Sequence, residues 1–283
     1  MPRINHNVPA MITGGALRKA GRQVEKSLEK LSTGLRINRA ADDAAGLSVS
    51  EQLRTQVRGL SMGNRNIQDG MSLLNIAEGA LIEIEDMLQR IRELAIQAAN
   101  DTLTSTERNY IQTEIDQLKT EIDRIANGTQ YNSQKLLNGT EVWSTGGIIH
   151  VGPNDNSAGY NEDVVIVTIG GVTTGSMQID GAQAQVISQT DATNAISQLD
   201  LALYSVNTLR ADLGAQFNRL EHALNNQESQ EQNMQAAESV IRDADFALET
   251  TKFTRNQILQ QSSTAMLSQA NMVPQNVLSL LQG

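Results

Sequence analysis

Residues 43–100, DAAGLSVSEQLRTQVRGLSMGNRNIQDGMSLLNIAEGALIEIEDMLQRIRELAIQAAN, decide the fold. They read as one unbroken amphipathic helix with a seven-residue beat. Apolar residues fall at Leu53, Val57, Leu60, Ile67, Met71, Leu74, Leu81, Ile84, Leu88, Ile91, Ala95 and Ala98. The gaps are three, four or seven, the spacing that keeps one stripe of a helix against a partner. Asn64 and Glu78 stand where the beat calls for an apolar side chain. At 1.5 Å per residue the run would be roughly 85 Å long, far more than a small globule needs. No proline lies between Pro9 and Pro153 to break it. Such a rod needs a partner along its seam.

The flanking sequence supplies partners. Residues 1–12 read as irregular, and a helix is expected after Gly14-Gly15, with the beat Leu17, Val24, Leu28, Leu31, Leu35 and a turn at Gly34. Asp42-Asp43 stand where carboxylates cap the long helix and meet its positive dipole end. Beyond a short turn, Thr104 or Ser105 opens a helix with the seam Ile111, Ile115, Leu118, Ile122, Ile125, ended by Asn127-Gly128. A short connection makes the two helices antiparallel neighbours. Helix resumes near Asp191 with Ile196, Leu199, Leu203, Val206, Leu213, Phe217, Leu220 and Leu224, and Arg210 occupies one seam position. The final segment carries Leu259, Met266, Val273 and Leu280 at steps of seven, and Pro274 should bend or interrupt it.

Between the helical halves the composition changes. Residues 141–180 are rich in Gly, Val, Ile and Thr, with strands expected at 148–151 and 163–169. Gly152-Pro153-Asn154-Asp155-Asn156 and Gly170-Gly171 supply turns. A hairpin or three-stranded patch of this size is too small to be an independent domain. The expected fold is therefore mainly α: an elongated, folded-back bundle of long coiled-coil helices with a small central β-hairpin region and both termini at one end.

Composition narrows the function. Of 283 residues 3% are aromatic and 39% hydrophobic, which suits long helices with thin seams. With no cysteine, disulfides and thiolate metal sites are excluded. No apolar run approaches the ~20 residues of a membrane span, and the N-terminus lacks the apolar core of a secretory signal. The net charge of −10 argues against nucleic acid as a general partner. Residues 1–40 are the exception, with eight Lys/Arg against Glu25 and Glu29. A basic arm can bind membrane or nucleic acid, but its apolar beat favours a helix packed on protein.

Catalytic patterns are absent. His6, His150 and His222 lack metal-ligand spacing, and there is neither a phosphate-binding G-x-x-x-x-G-K-[ST] loop nor a G-x-S-x-G elbow. Asp42-Asp43 and Asp243/Asp245 could pair on a metal, but helix caps and a solvated face account for them more simply. No cofactor is implied, and the chain reads as a non-enzyme.

Five blocks then carry a resemblance: SLEKLSTGLRINRAADDAAGLSVSEQLRTQVRGL (27–60), QRIRELAIQAAND (89–101), ADLGAQFNRLEHAL (211–224), ESVIRDADFALETTKFTRNQIL (238–259) and QANMVPQNVLSLLQG (269–283). They resemble bacterial flagellin over roughly residues 1–140 and 187–283. IIHVGPN and the closing block are also similar to the short flagellins of spirochaetes, whose filaments lie in the periplasm. The resemblance implies a subunit that polymerises into the helical flagellar filament. It implies that residues 1–40 with 241–283 form a coiled inner tube, packed through Leu17, Val24, Leu28, Leu31, Leu35, Leu259, Met266, Val273 and Leu280. Residues 41–140 with 187–240 would form the outer helical shell, and 141–186 its β-hairpin region. It further implies type III export as an unfolded chain, an export chaperone, filament cap and hook-junction proteins as partners, and a secreted, extracellular filament (a periplasmic one in a spirochaete). A chemoreceptor-like hairpin or a phage fibre fits less well. The first should turn tightly at its middle, and the second usually carries its β-rich tip at one terminus.

Two surface expectations complete the reading. If Leu88, Ile91 and Ala95 face inward, Arg90, Leu94 and Gln97 share a flank, with Glu114 on a comparable flank of the next helix. Leu94 then stands out as a large apolar side chain outside the seam. Gln89–Ala98 is similar to the part of flagellin recognised by the animal Toll-like receptor for flagellin. Position by position, Arg90, Leu94 and Glu114 match its principal contacts, and the patch Gln89, Arg90, Leu94, Gln97, Glu114 is expected to serve both subunit and receptor contacts. Ser144, Thr145, Ser157, Thr173, Thr174 and Ser176 are O-glycosylation candidates by the same resemblance, although Ser and Thr also suit turns.

Overall fold

The computed structural model describes residues 6–154 and 163–281, with 182, 183 and 273–281 by their backbone alone. The elements run α1 (Val8–Thr33), α2 (Ala44–Ala98), α3 (Ser105–Gly128), β1 (Gln130–Tyr131), β2 (Gln134–Lys135), α4 (Val142–Thr145), β3 (Gly147–His150), β4 (Val164–Val167), α5 (Gln189–Arg242) and α6 (Phe246–Leu281). The architecture is mainly α with two small antiparallel hairpins, β1–β2 and β3–β4. The chain divides into two compact units, Met1–Thr55 with Asn233–Gly283, and Gln56–Gln232.

Local chemistry explains the helix ends. Asp43 accepts the Gly46 N–H at 2.9 Å and starts α2. Thr104 and Glu107 form a reciprocal capping box at α3, and Gly34 ends α1 in the left-handed conformation at φ 73°. Helix α1 begins at Val8, however, not after Gly14-Gly15. Asn7 Oδ1 accepts the Ala10 N–H at 3.1 Å and Pro9 sits in the first turn, so a capped start outweighs two weak helix formers. Helix α6 also runs through Pro274 to Leu281 instead of breaking there.

The core of residues 56–232 lies along α2. Leu60, Ile67, Leu74, Leu81, Ile84, Leu88, Ile91, Ala95 and Ala98 are buried, as the beat predicts. At the break the seam passes through fully buried Ala77, and Glu78 is exposed. Leu73 and Leu94 are also buried, each 2% exposed, which corrects the expectation that Leu94 lies outside the packed stripe. The reason is that α2 has neighbours on two flanks. Arg90 reaches Glu114 of α3 at 3.0 Å, while Arg92 reaches Asp200 of α5 at 2.6 Å. A helix covered from two sides buries a stripe wider than a two-helix seam. Arg210 keeps its seam position by pairing with Glu85, and Asn64 does so by donating to Glu231 at 2.8 Å.

The β3–β4 hairpin lies on a glycine stripe of α2. A Cβ on Gly63 would stand 1.8 Å from the Val151 carbonyl oxygen, one on Gly59 2.6 Å from Pro153 and one on Gly70 2.4 Å from Ile149. These glycines let the backbone at Val151 and the side chains of Ile149 and Pro153 sit close against the helix, a use periodicity cannot reveal. Strand pairing runs from Gly147↔Val167 to His150↔Val164. On the far side, Gln216 of α5 exchanges hydrogen bonds with both backbone groups of Thr168 at 3.0 Å. The following segment is held by α3. Gln112 accepts the Val186 N–H, Asp123 binds Thr174, and Lys119 donates to the Ala184 carbonyl at 3.0 Å. Burial pushes the Lys119 pKa down, against the pull of Asp116 and Asp180.

In the terminal unit α1 packs on α6. Between these helices Ser27 donates to Glu249 at 2.8 Å, and Lys252 adds a second donor at 3.1 Å. Burial alone would raise the Glu249 pKa, but those two bonds and the nearby cations hold it below its ordinary value. The α1–α2 connection pairs with the α5–α6 junction through Arg36 N–H to Arg242 O at 2.7 Å and Ala244 N–H to Gly34 O at 2.9 Å.

Candidate assembly surface

The terminal helices expose what a helix normally hides. Met11 and Ile12 of α1 are 71% and 68% exposed, and Leu28 is 56% exposed. On α6, Phe246, Leu248, Ile258, Leu259, Met266 and Met272 are all exposed. Leu17, Val24, Leu31 and Leu35 are half-buried. The side chains of Val273 and Leu280 lie outside the described residues. Among the described side chains of this unit only Ala20, Ser27, Ile37, Ser50 and Glu249 are buried. Apolar surface left open on this scale marks an interaction face. The α1–α6 pair thus leaves much of its apolar surface unpacked.

The second surface lies on α2 and α3. Gln89, Arg90, Gln97 and Glu114 are exposed, and Arg90 bridges Glu93 and Glu114, each at 3.0 Å. Those carboxylates, Glu93 foremost, raise the guanidinium pKa further above its ordinary value. Leu94 lies beneath this patch as core and cannot be one of its outward contacts.

The hydroxyl candidates divide by accessibility. Thr145 and Ser176 are exposed, while Ser144 and Thr173 are half-buried. Thr174 is 6% exposed and gives both its N–H and its hydroxyl to Asp123, at 2.8 and 2.7 Å. It is therefore closed to a modifying enzyme in the folded chain. Ser157 lies outside the described residues. The paired carboxylates are occupied locally. Asp42 accepts the Arg39 N–H and Asp43 caps α2. Asp243 accepts from Ser239, and Asp245 accepts the Leu248 N–H at the start of α6.

Missed by periodicity were Asn7, the glycine stripe and the α3 residues that hold segment 172–186. The glycines and the α3 residues act on chain far away in sequence, so local spacing carries no signal for them, whereas Asn7 ahead of Pro9 is a local cap that the apolar beat does not read.

Comparison with known proteins agrees with this geometry. The bacterial flagellin N-terminal helical region matches residues 4–142, and the flagellin C-terminal helical region matches 196–281. A flagellin of Halalkalibacterium halodurans is 45% identical over 282 residues, covering 99% of each chain. Flagellin FlaB2 of Treponema pallidum is 44% identical, again over 99% of both chains. The flagellin of Bacillus subtilis is 44% identical over 306 residues, covering 99% of this chain and all of that one. Among solved structures, a putative flagellar hook-associated protein from Vibrio parahaemolyticus shares the fold at 14% identity and a TM-score of 0.55, covering 71% of this chain and 99% of that one. With two matching regions in order and relatives aligned end to end, the chain belongs to the bacterial flagellins, structural proteins of the flagellar filament and not enzymes.

Proposed function

We propose that polymerisation lays residues 1–40 with 241–283 into a coiled inner tube. Residues 41–140 with 187–240 form a helical shell around it, and 141–186 are the outermost protein. The unequal burial supports this reading. A pair of helices with this little interior cannot offset its ordering entropy alone, and copies of the same pair supply the missing faces. The arms are accordingly mobile in the monomer and fold on assembly.

The same reading covers export and partners. A chain without cysteine carries no disulfide to block unfolded passage through a type III apparatus. An export chaperone covers the apolar face of α6, and the filament cap and hook-junction proteins engage the same terminal helices. The filament lies outside the cell, or in the periplasm if the source is a spirochaete. The patch Gln89, Arg90, Gln97, Glu114 serves both a neighbouring subunit and a Toll-like receptor, with Leu94 positioning it from below. Thr145 and Ser176, with Ser144 and Thr173, are the hydroxyls open to glycosylation. Mass spectrometry of native filaments checks this last point, and unmodified peptides there would refute it.

Assembly has a direct test. Purified protein brought to high ammonium sulfate and viewed by negative-stain microscopy should form long, slender tubes. Amorphous precipitate or persistent monomer would overturn the proposal.

A further inference from the structure

Helix α6 continues through a proline, and the structure shows what makes that tolerable. In an α-helix the carbonyl of residue i accepts the N–H of residue i+4. For Ala270 that residue is Pro274, which has no N–H to give. The Ala270 carbonyl instead accepts Asn7 Nδ2 at 2.8 Å, across 263 residues of sequence. The other half of the same amide is also engaged, since Asn7 Oδ1 accepts the Ala10 N–H at 3.1 Å and caps α1. One half-buried side chain therefore starts α1 and supplies the donor that α6 lacks.

We infer that Asn7 is a positioning residue for assembly: it locks the register of α1 against α6 by completing the hydrogen-bond ladder at Pro274. Only an amide does both jobs. A serine at this position still caps a helix about as well but is too short to reach α6, and a carboxylate has no proton to give. Proline is part of the device. A residue with an N–H at 274 would satisfy Ala270 from within α6, so that the carbonyl would no longer depend on Asn7 for a donor. Pro274 thus turns a local defect into a contact that is made only when the two ends of the chain come together. This inference rests on the proposed role of the terminal pair in polymerisation.

The test is a double-mutant cycle on the full-length chain: wild type, Asn7→Ser, Pro274→Ala and the pair, each measured for critical concentration of polymerisation. Wild type that forms no filaments would sink the assembly reading and leave nothing for Asn7 to position. With wild-type filaments in hand, Asn7→Ser should raise the critical concentration roughly fivefold, the factor matching one net intramolecular hydrogen bond of about 1 kcal/mol. The same change in the Pro274→Ala background should have little effect, because Ala270 then has its own donor. An equal effect in both backgrounds would show that Asn7 acts elsewhere. Should Pro274→Ala fail to polymerise, hydrogen exchange decides. Amides 275–281 should exchange faster in Asn7→Ser filaments than in wild type, and unchanged protection would overturn the inference.

Discussion

In residues 56–232, Leu81, Ile84, Leu88 and Ile91 are fully buried by helices of the same chain. In α1 and α6, Leu28, Ile258, Leu259 and Met266 remain 44–60% exposed. Both regions use long helices with a seven-residue beat, so the beat alone does not say whether a seam is filled. The difference lies in the number of neighbours. Helix α2 is flanked by α3 and α5 and overlain by a hairpin, whereas α1 has α6. A helix with one partner covers one stripe and leaves the rest to whatever binds next. One region therefore owns its core, and the other shares it.

The largest expected effect follows from that contrast. Deleting residues 241–283 should abolish filament formation altogether, yet leave a soluble chain whose circular dichroism remains strongly helical, because the core of 56–232 is untouched. A truncated chain that still polymerises would break the comparison.

Leu94→Ala comes next. Removing a fully packed leucine should destabilise residues 56–232 by about 2–5 kcal/mol, visible as a lower melting temperature of the free monomer. Its exposed neighbour should behave differently. Arg90→Ala loses ion pairs that are solvent-exposed and screened, so its effect should appear in critical concentration and receptor signalling instead of melting. Loss of signalling at a normal critical concentration would show two separate surfaces.

Gly63→Ala probes the hairpin seat. A methyl group placed against the Val151 carbonyl must push the backbone away, and overpacking of this kind costs about 1–3 kcal/mol. Thermal melts of the truncated chain should resolve it. Gly79, with nothing within 4 Å of an added Cβ, is the control, and Gly79→Ala should leave the melt unchanged or slightly raised.

The smallest effect belongs to the terminal pair. Glu249 has a folded pKa below its ordinary 4.5. Its contribution is therefore fully present above that value and is lost as pH falls through the lower, folded one. Protection factors of α1 and α6 amides in filaments, corrected for the intrinsic pH dependence of exchange, should fall between about pH 5 and pH 3. Glu249→Gln should flatten that dependence without removing the contact to Ser27. A slope identical to wild type would place the sensitivity elsewhere, with Asp42 the next candidate, since the Arg39 N–H and Lys26 lower its pKa against the opposing effect of burial.

Much of the molecule could be read from local order. The bounds of α2 and α3, the Gly34 stop, the Thr104 cap and the central strands follow from periodicity, caps and β-branched runs, because those signals act within a few residues. Sequence by itself also determined the class of protein, through long blocks in the right order, and excluded disulfides and thiolate sites. Other features depended on chain brought in from far away. Leu94 is core because α3 and α5 both cover α2. Ala77 takes the place of Glu78 in the seam because the face of α2 that is covered there is set by its neighbours, not by the beat. Thr174 is closed off by Asp123, from 51 residues earlier. Where α6 runs through Pro274, the Ala270 carbonyl takes its donor from a side chain at position 7. Local propensity sets where elements start and stop. Which faces are covered, and which defects are repaired, is decided only when distant segments meet.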